Sequence, residues 1–425
     1  MIATLAAGFF GMLIMGMPVA LLLIGLTILA VGVHTSTSFN VIPEQLFNAL
    51  DSFVLLAIPF FILAGTIMTK GSISRRLINF VNALVGWVPG GLAVSGVLAC
   101  VFFAAISGSG MATVVAIGSI MLPALKEAGY DRRFSLGMIT TAGSLGIVIP
   151  PSIPMILYCL VMNTSVAEMF MAGILPGILI AATLIGYTLV KARSNNWRVG
   201  SQPSLGEIIR TAREGIWAIS LPVVILGGIY SGIFTPTEAA AVSVVYAIIV
   251  EVFIHKDCSL KDLPKACLET SVLASSILFL LAAALTFNWL LTAQQIPAQL
   301  ADFLLAHIHS PMVFLLVVNL LLLLLGCFMD SVSAVLVLAP LFVNTLQGYD
   351  IDFVHFGIIM ILNIEFGMLT PPFGLNLFVS MGISGERMEV VGRSVLPFLG
   401  LLLACLALVT YIPDISLALP KLFLR

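Results

Sequence analysis

The chain is written twice. Gly129-Tyr130-Asp131, with Phe134 three residues on, returns as Gly348-Tyr349-Asp350 with Phe353, an offset of 219. Pro150-Pro151 returns as Pro371-Pro372 and Pro176 as Pro397, both offset by 221. Gly16-Met17-Pro18 aligns more loosely with Phe234-Thr235-Pro236, offset by 218. An ordered series at nearly constant offset marks a duplication, so the fold of one half constrains the fold of the other.

Charge then orients the copies, because Lys and Arg accumulate on cytoplasmic loops. Lys126, Arg132 and Arg133 surround the first Gly-Tyr-Asp, whereas residues 340–357 around the second carry no Lys or Arg. Residues 33–52 have none, and their counterparts 254–265 have Lys256, Lys261 and Lys265. Lys70, Arg75 and Arg76 face a counterpart at 294–310 that has no Lys or Arg, and 163–168, which has none, faces Arg387 and Arg393. Each loop pair reverses sign. The copies are therefore expected to be inverted repeats, a plan shared by many secondary transporters.

Composition names the solvent of this fold. Hydrophobic residues make up 60% and charged residues 9% of 425 residues, where a soluble chain carries about 25% charge. Apolar stretches near the roughly 20 residues that cross a bilayer recur throughout, so the chain reads as an all-α polytopic membrane protein. A net charge of −2 gives no basic excess for nucleic acid. The apolar N-terminus lacks a cationic start and a small-residue cleavage site, and reads as part of the fold. The six cysteines form no CxxC and read as small core-type residues. No Gly-Lys pair and no His-Glu pair occurs, which excludes a Walker A loop and HExxH. The breaks offer no catalytic pair, and no enzyme is expected.

The topology follows from spans and charge. Residues 1–88 form a scaffold part, with either two short passes or one tilted helix over 2–33, a span at 53–69 and an interfacial helix at 72–88. Residues 89–190 form a transport part: a re-entrant hairpin at 90–125, a broken helix at 134–162 and a return at 168–190. A polar cytoplasmic linker, 191–215, joins the repeats. The second copy has a scaffold part at 216–310, with two passes in 217–253, a span at 268–292 and an interfacial piece at 294–309. Its transport part, 311–425, holds a hairpin at 311–346, a broken helix at 354–383 and a span near 394–413.

Double prolines remove backbone donors and break a helix. In hydrocarbon, irregular backbone is tolerated only when buried in protein or lining a wet cavity. Each copy pairs such a break with a polar hairpin tip, Ser107-Gly108-Ser109-Gly110 in one and Met329-Asp330-Ser331 in the other. Half-helix ends expose carbonyls that suit a small cation and amides that suit a carboxylate. The breaks thus read as ion and substrate sites. Asp330 is either a functional charge at the tip or the N-cap of the second arm. Glu365 reads as a buried structural partner, and Glu238 as a complement to a helix N-terminus. Thr113 and Ser119 read as lying on a hairpin arm away from the tip.

These stretches carry a family resemblance. LLAIPFFILAG at 55–65, the SGSG tip, IPPS at 149–152, GIFTPTEAAA at 232–241, MDS at 329–331 and TPPFGLN at 370–376 resemble the large membrane subunit of tripartite ATP-independent periplasmic (TRAP) transporters. The resemblance covers nearly the whole chain. It implies an elevator-type secondary transporter of the inner membrane, driven by sodium, with Na+ as coupling ion and no cofactor. It also implies a separate small four-helix membrane subunit and a periplasmic substrate-binding protein. The cargo would be an organic acid: a sialic acid, a C4-dicarboxylate or a sugar acid. Carried over by position, one sodium site would use Ser107, Gly108 and Ser109 with backbone near Gly143, Gly146 and Pro150. The other would use Gly326, Ser331, Gly367 and Thr370. Ile149 stands in the place of Thr370, so the first site would rely more on backbone. Substrate would lie between the tips, near Asp330, Ser152 and Asn376. The competing readings are an ion channel and a sodium/carboxylate symporter that needs no binding protein.

Overall fold

A computed structural model describes residues 1–195, 197, 203–371 and 373–424. In chain order the helices are α1 (Ile2–Ile14), α2 (Val19–His34), α3 (Val41–Leu50), α4 (Ala57–Lys70) and α5 (Ile73–Val85). Then come α6 (Gly91–Ser107), α7 (Gly110–Glu127), α8 (Arg132–Gly143), α9 (Leu145–Val148), α10 (Ile153–Met162) and α11 (Val166–Ser194). The second half holds α12 (Leu205–Tyr230), α13 (Pro236–Ile248), α14 (Leu263–Ala293), α15 (Ile296–His307) and α16 (Pro311–Gly326). It ends with α17 (Ser331–Leu338), α18 (Val343–Gly348), α19 (Phe353–Gly367), α20 (Leu375–Ser384), α21 (Met388–Tyr411) and α22 (Asp414–Phe423). Among the described residues, nine helical segments are long and apolar enough to cross a membrane.

Several expectations meet the structure directly. Residues 2–34 form two short helices, because Gly16, at φ +75°, turns the chain ahead of Pro18. Two long helices, α12 and α13, occupy the stretch where two passes are expected. Helices enter the linker segment from both sides, α11 continuing to Ser194 and α12 starting at Leu205; residues 196 and 198–202 of that segment lie outside the described residues. The second arm of the first hairpin runs for 18 residues, so length alone would let it span. Two amphipathic helices go beyond the sequence reading: α3 packs on α14, and α22 packs on α11.

Local chemistry explains where the helices begin. The Asp131 carboxylate accepts from the Phe134 amide at 2.8 Å and caps α8. In the second copy the cap is Asp352, which accepts from Val354 and His355 at 2.8 and 3.1 Å. Asp350, the aspartate of the repeated Gly-Tyr-Asp, instead turns the chain at φ +54°. The helix-capping aspartates therefore stand 221 residues apart, the offset of the prolines. The 219 offset belongs to the loop ahead of the cap. Glu238 closes a capping box with Thr235, accepting from its amide and hydroxyl at 2.8 and 2.9 Å. Its structural reading is sufficient.

The broken helices of the two copies interlock in the core. Thr140 Oγ1 lies 2.6 Å from Ser380 Oγ, linking α8 to α20. The Tyr158 hydroxyl on α10 donates to the Phe353 carbonyl at the start of α19 at 2.6 Å. Nearly every residue of α8, α9, α10 and α19 is buried. By contrast α16 turns Leu316, Leu320 and Leu324, spaced four apart, outward on an apolar face.

Candidate functional site

In the first copy the hairpin tip is made by two helix ends. Gly108, at φ +60°, closes α6 in the left-handed conformation that glycine adopts without strain. Ser109 then caps α7, its hydroxyl accepting from the Ala112 amide at 3.4 Å. Three oxygens gather behind the tip. Ser107 Oγ is 3.0 Å from Thr113 Oγ1 and 3.3 Å from the Ser109 carbonyl, to which Thr113 donates at 2.9 Å. Thr113 is fully buried here. The reading that placed it away from the tip is wrong: one helical turn from the cap, its side chain points back toward the N-terminus and meets Ser107.

The break between α9 and α10 comes against this tip through backbone. A Cβ on Gly146 would lie 2.4 Å from the Ser109 carbonyl oxygen, and one on Gly108 would lie 2.8 Å from the Pro151 carbonyl oxygen. Gly143 is as tightly set against Val114 of α7, where a Cβ would lie 2.1 Å from Val114 Cγ2. Ser107, Gly108, Ser109, Gly143 and Gly146 are thus brought together, with Pro150 buried in the same break. Ser152 Oγ, beside Gly108, is buried without a hydrogen-bond partner among the described residues.

The second copy repeats the approach with different side chains. Gly326 ends α16 against Gly367, the last residue of α19; a Cβ on Gly367 would lie 2.6 Å from Gly326 Cα. Thr370 donates its hydroxyl to the Phe366 carbonyl at 3.1 Å and its amide to the Gly367 carbonyl at 2.8 Å. Ser331 opens α17 with its side chain buried. Among the described residues no hydrogen bond joins Ser331 to Thr370. Pro372 lies outside the described residues.

Asp330 takes up its capping alternative. One carboxylate oxygen accepts from the Val332 and Ser333 amides at 3.0 and 3.2 Å, and the other from the Ser333 hydroxyl. Asn376 is committed elsewhere, donating to Glu365 Oε1 at 2.7 Å. Ser152, Asp330 and Asn376 therefore do not bond to one another.

Glu365 is, as the sequence suggested, a buried hydrogen-bonding partner, and its contact with the other copy goes beyond that reading. It is fully buried on α19, and a Cβ on Gly110 would lie 2.5 Å from its Oε1. A carboxylate from the second copy thus touches the first residue of α7, where unpaired amides favour negative charge. Its Oε2 and Asn376 Oδ1 lack hydrogen-bond partners among the described residues. The signal in the sequence was an acid in an otherwise apolar helix, where charge is costly. His355, by contrast, lies at the far end of α19, its ring nitrogens 2.7 Å from Ser416 Oγ and 3.3 Å from the Thr410 carbonyl. It ties α19 to the C-terminal helices, away from the break.

Residues 6–415 match the family described as tripartite ATP-independent periplasmic transporter, DctM component. A protein of Pseudomonas aeruginosa named C4-dicarboxylate TRAP transporter large permease protein DctM is 46% identical over 377 residues, covering 89% of this chain and 88% of that one. A Vibrio cholerae protein named sialic acid TRAP transporter large permease protein SiaM is 36% identical, covering 98% of each. Among solved structures, the Alcanivorax borkumensis YdaH transporter superposes with a TM-score of 0.64 at 15% identity, covering 92% of this chain and 96% of its own. That likeness concerns the fold alone.

Proposed function

The chain belongs to the DctM family of tripartite ATP-independent periplasmic transporters, and from that premise we propose that it imports an organic acid across the bacterial inner membrane on a sodium gradient. It is a transporter permease and not an enzyme. The observation that carries the finer reading is the doubled lodging of a hairpin tip against a helix break: Gly146 on Ser109, and Gly367 on Gly326. The first lodging sets the Ser107 and Thr113 hydroxyls beside the Ser109 carbonyl and the second sets Gly326 against Gly367; within a bilayer such backbone groups would need a ligand or the protein itself to satisfy them. Sodium would be held at the first tip by Ser107, Ser109 and carbonyls near Gly143, Gly146 and Pro150. At the second it would be held by Ser331, Thr370 and carbonyls near Gly326 and Gly367.

No Lys or Arg lies at either hairpin tip or helix break, so a cargo carboxylate would rest on helix N-terminal amides and hydroxyls such as Ser152. C4-dicarboxylates lead the candidates, since a relative at 46% identity carries that name; sialic acids and sugar acids follow. The two copies would be inverted, and the hairpins with their broken helices would move as an elevator against the remaining helices. A small four-helix membrane subunit and a periplasmic binding protein would complete the system.

The test is uptake into proteoliposomes under an inward sodium gradient. Succinate should accumulate only when the small subunit and loaded binding protein are present, and collapsing the gradient should stop it. Uptake by this chain alone would replace the tripartite reading with a self-sufficient symporter. A non-saturating conductance would replace it with a channel, and uptake indifferent to sodium would end the coupling proposal.

A further inference from the structure

The corner where the chain leaves α13 gathers a different set of ligands. The last turn after α13, Ile249–Ile254, widens to a π-helix, and the His255 amide donates to the Val250 carbonyl at 2.8 Å. Such widened turns recur at functional sites. Lys256 then adopts φ +58° and reverses the chain. The amides of Asp257 and Cys258 come back to the Glu251 carbonyl, at 3.1 and 3.2 Å. The fold-back places a carboxylate oxygen of Glu251, an imidazole nitrogen of His255 and a carboxylate oxygen of Asp257 within 4.8 Å of one another.

Two of these side chains are buried, and one of them is idle. Glu251 and His255 expose 0% and 5% of their side chains; among the described residues neither ring nitrogen of His255 has a hydrogen-bond partner, while the Glu251 carboxylate faces the Ser72 and Ile73 amides at the start of α5. His255 Nδ1 stays 3.9 Å from Glu251 Oε2, outside bonding range. The Glu251 carboxylate presses on the Gly71 backbone at the entry to α5, where a Cβ on Gly71 would lie 2.0 Å away. Complementing the α5 dipole would account for one carboxylate, yet it leaves the idle imidazole and the convergence of three ligands unexplained. Asp257 is held in place from the first copy: Arg76 Nη2 lies 3.2 Å from its Oδ2, and the Ser72 hydroxyl donates to the same oxygen.

We propose that Glu251, His255 and Asp257 form a site for a divalent first-row metal ion, zinc foremost. One imidazole and two carboxylates suit zinc, and three protein ligands leave a position for water. Bound there, the ion would clasp the corner after α13 to the α4–α5 corner, through the Asp257 bonds to Ser72 and Arg76.

The full-length, tag-free, metal-stripped protein should bind one Zn2+ per chain by calorimetry, and one Co2+ with visible ligand-field bands. Outer hydrogen-bond partners of metal ligands are worth about 10–100-fold in affinity. Loss of a direct ligand, in Glu251→Gln or His255→Gln, should therefore weaken Zn2+ at least about tenfold. His309→Gln, at an exposed histidine elsewhere, should change nothing. X-ray absorption of the zinc-loaded wild-type protein should show one imidazole nitrogen among oxygens, which keeps the proposal testable if a variant misfolds. No stoichiometric binding by wild type, affinity untouched by both ligand substitutions, or a zinc environment without imidazole would each overturn it.

Discussion

Ser109 and Asp330 stand 221 residues apart and do the same work, each capping the second arm of its hairpin. Asp131 and Asp352 share that offset and cap the broken helices. Gly146 and Gly367 share it as well, and each brings its break against a tip. Side chains beside those shared positions diverge. Ser144 of the first copy corresponds to Glu365, Ile149 to Thr370 and Met155 to Asn376. In return, Ser107 and Thr113 correspond to Phe328 and Ala334. The duplication therefore keeps what shapes the backbone and lets the chemistry drift apart. The first tip carries its own hydroxyl cluster, and the second break carries the carboxylate and amides that reach toward it.

The largest effect should come from the shared part. Gly146→Ala and Gly367→Ala each set a methyl group within 2.4 or 2.6 Å of opposing backbone, which cannot rotate away. Overpacking of this kind costs about 1–3 kcal/mol or more, and the tip must lift from its break to relieve it. Uptake by either variant should fall below about a tenth of wild type, with a lowered thermal midpoint in detergent. A Gly146→Ala protein with normal uptake beside a dead Gly367→Ala protein would show that tip and break need not meet in both copies.

A smaller and one-sided effect should separate Glu365 from Ser144. Glu365→Ala strands the buried Asn376 amide, a loss of about 1–3 kcal/mol or roughly 5- to 150-fold in uptake efficiency. Among the described residues Ser144 Oγ bonds only the Thr141 carbonyl, at 2.6 Å, so Ser144→Ala should be nearly silent. Glu365→Gln keeps an acceptor for Asn376 and removes the charge. Wild-type uptake by the glutamine variant would assign Glu365 to packing, and a loss equal to alanine's would assign it to its charge at the α7 N-terminus.

What was legible in the sequence follows the same division. Proline, glycine and capping residues act on the backbone next to them, so the breaks, both tips and most helices could be located from spacing alone. Even the capping alternative for Asp330 was open, because it depends on three consecutive residues. Thr113 was misjudged, and the reach of Glu365 into the other copy was not foreseen, because these contacts are fixed by packing. Glu365 meets Gly110 from the other copy, and Thr113 meets Ser107 across the tip. The 219 offset misled for a related reason: identical letters in Gly-Tyr-Asp mark a loop, while the cap moved two residues on to Asp352. The ligand cluster at 251–257 needed a π-turn and a left-handed lysine, neither of which composition announces.

The second tip should show coupling between its hydroxyls. Ser331→Ala or Thr370→Ala should raise half-saturating sodium by about 1–2 kcal/mol, roughly 5- to 30-fold. Thr370 also has its Phe366 bond to lose, so Thr370→Ser should be milder than Thr370→Val. If both hydroxyls face one ion, the double alanine variant should fall short of the summed effects. Strict additivity, or a Thr370→Val protein with unaltered sodium dependence, would leave the second break a structural kink.

The smallest effect sharpens the comparison most, because it concerns a residue with no counterpart. Thr113 Oγ1 holds two oxygens of the first tip, Ser107 Oγ at 3.0 Å and the Ser109 carbonyl at 2.9 Å. The second copy has alanine at the corresponding position and manages without it. Thr113→Ala leaves Ser107 its longer bond to the Ser109 carbonyl, so the loss should be near the net worth of one hydrogen bond, about 1 kcal/mol or roughly fivefold in half-saturating sodium. Thr113→Ser, which keeps the hydroxyl, should restore most of it. Ser119, nearly two turns further along α7 and bonded among the described residues only to the Ala116 carbonyl, should tolerate alanine without change. If sodium dependence shifts equally in Thr113→Ala and Ser119→Ala, α7 is responding as a helix. If neither shifts, the first tip takes its sodium ligands from backbone alone, and the two copies are more alike in chemistry than their side chains indicate.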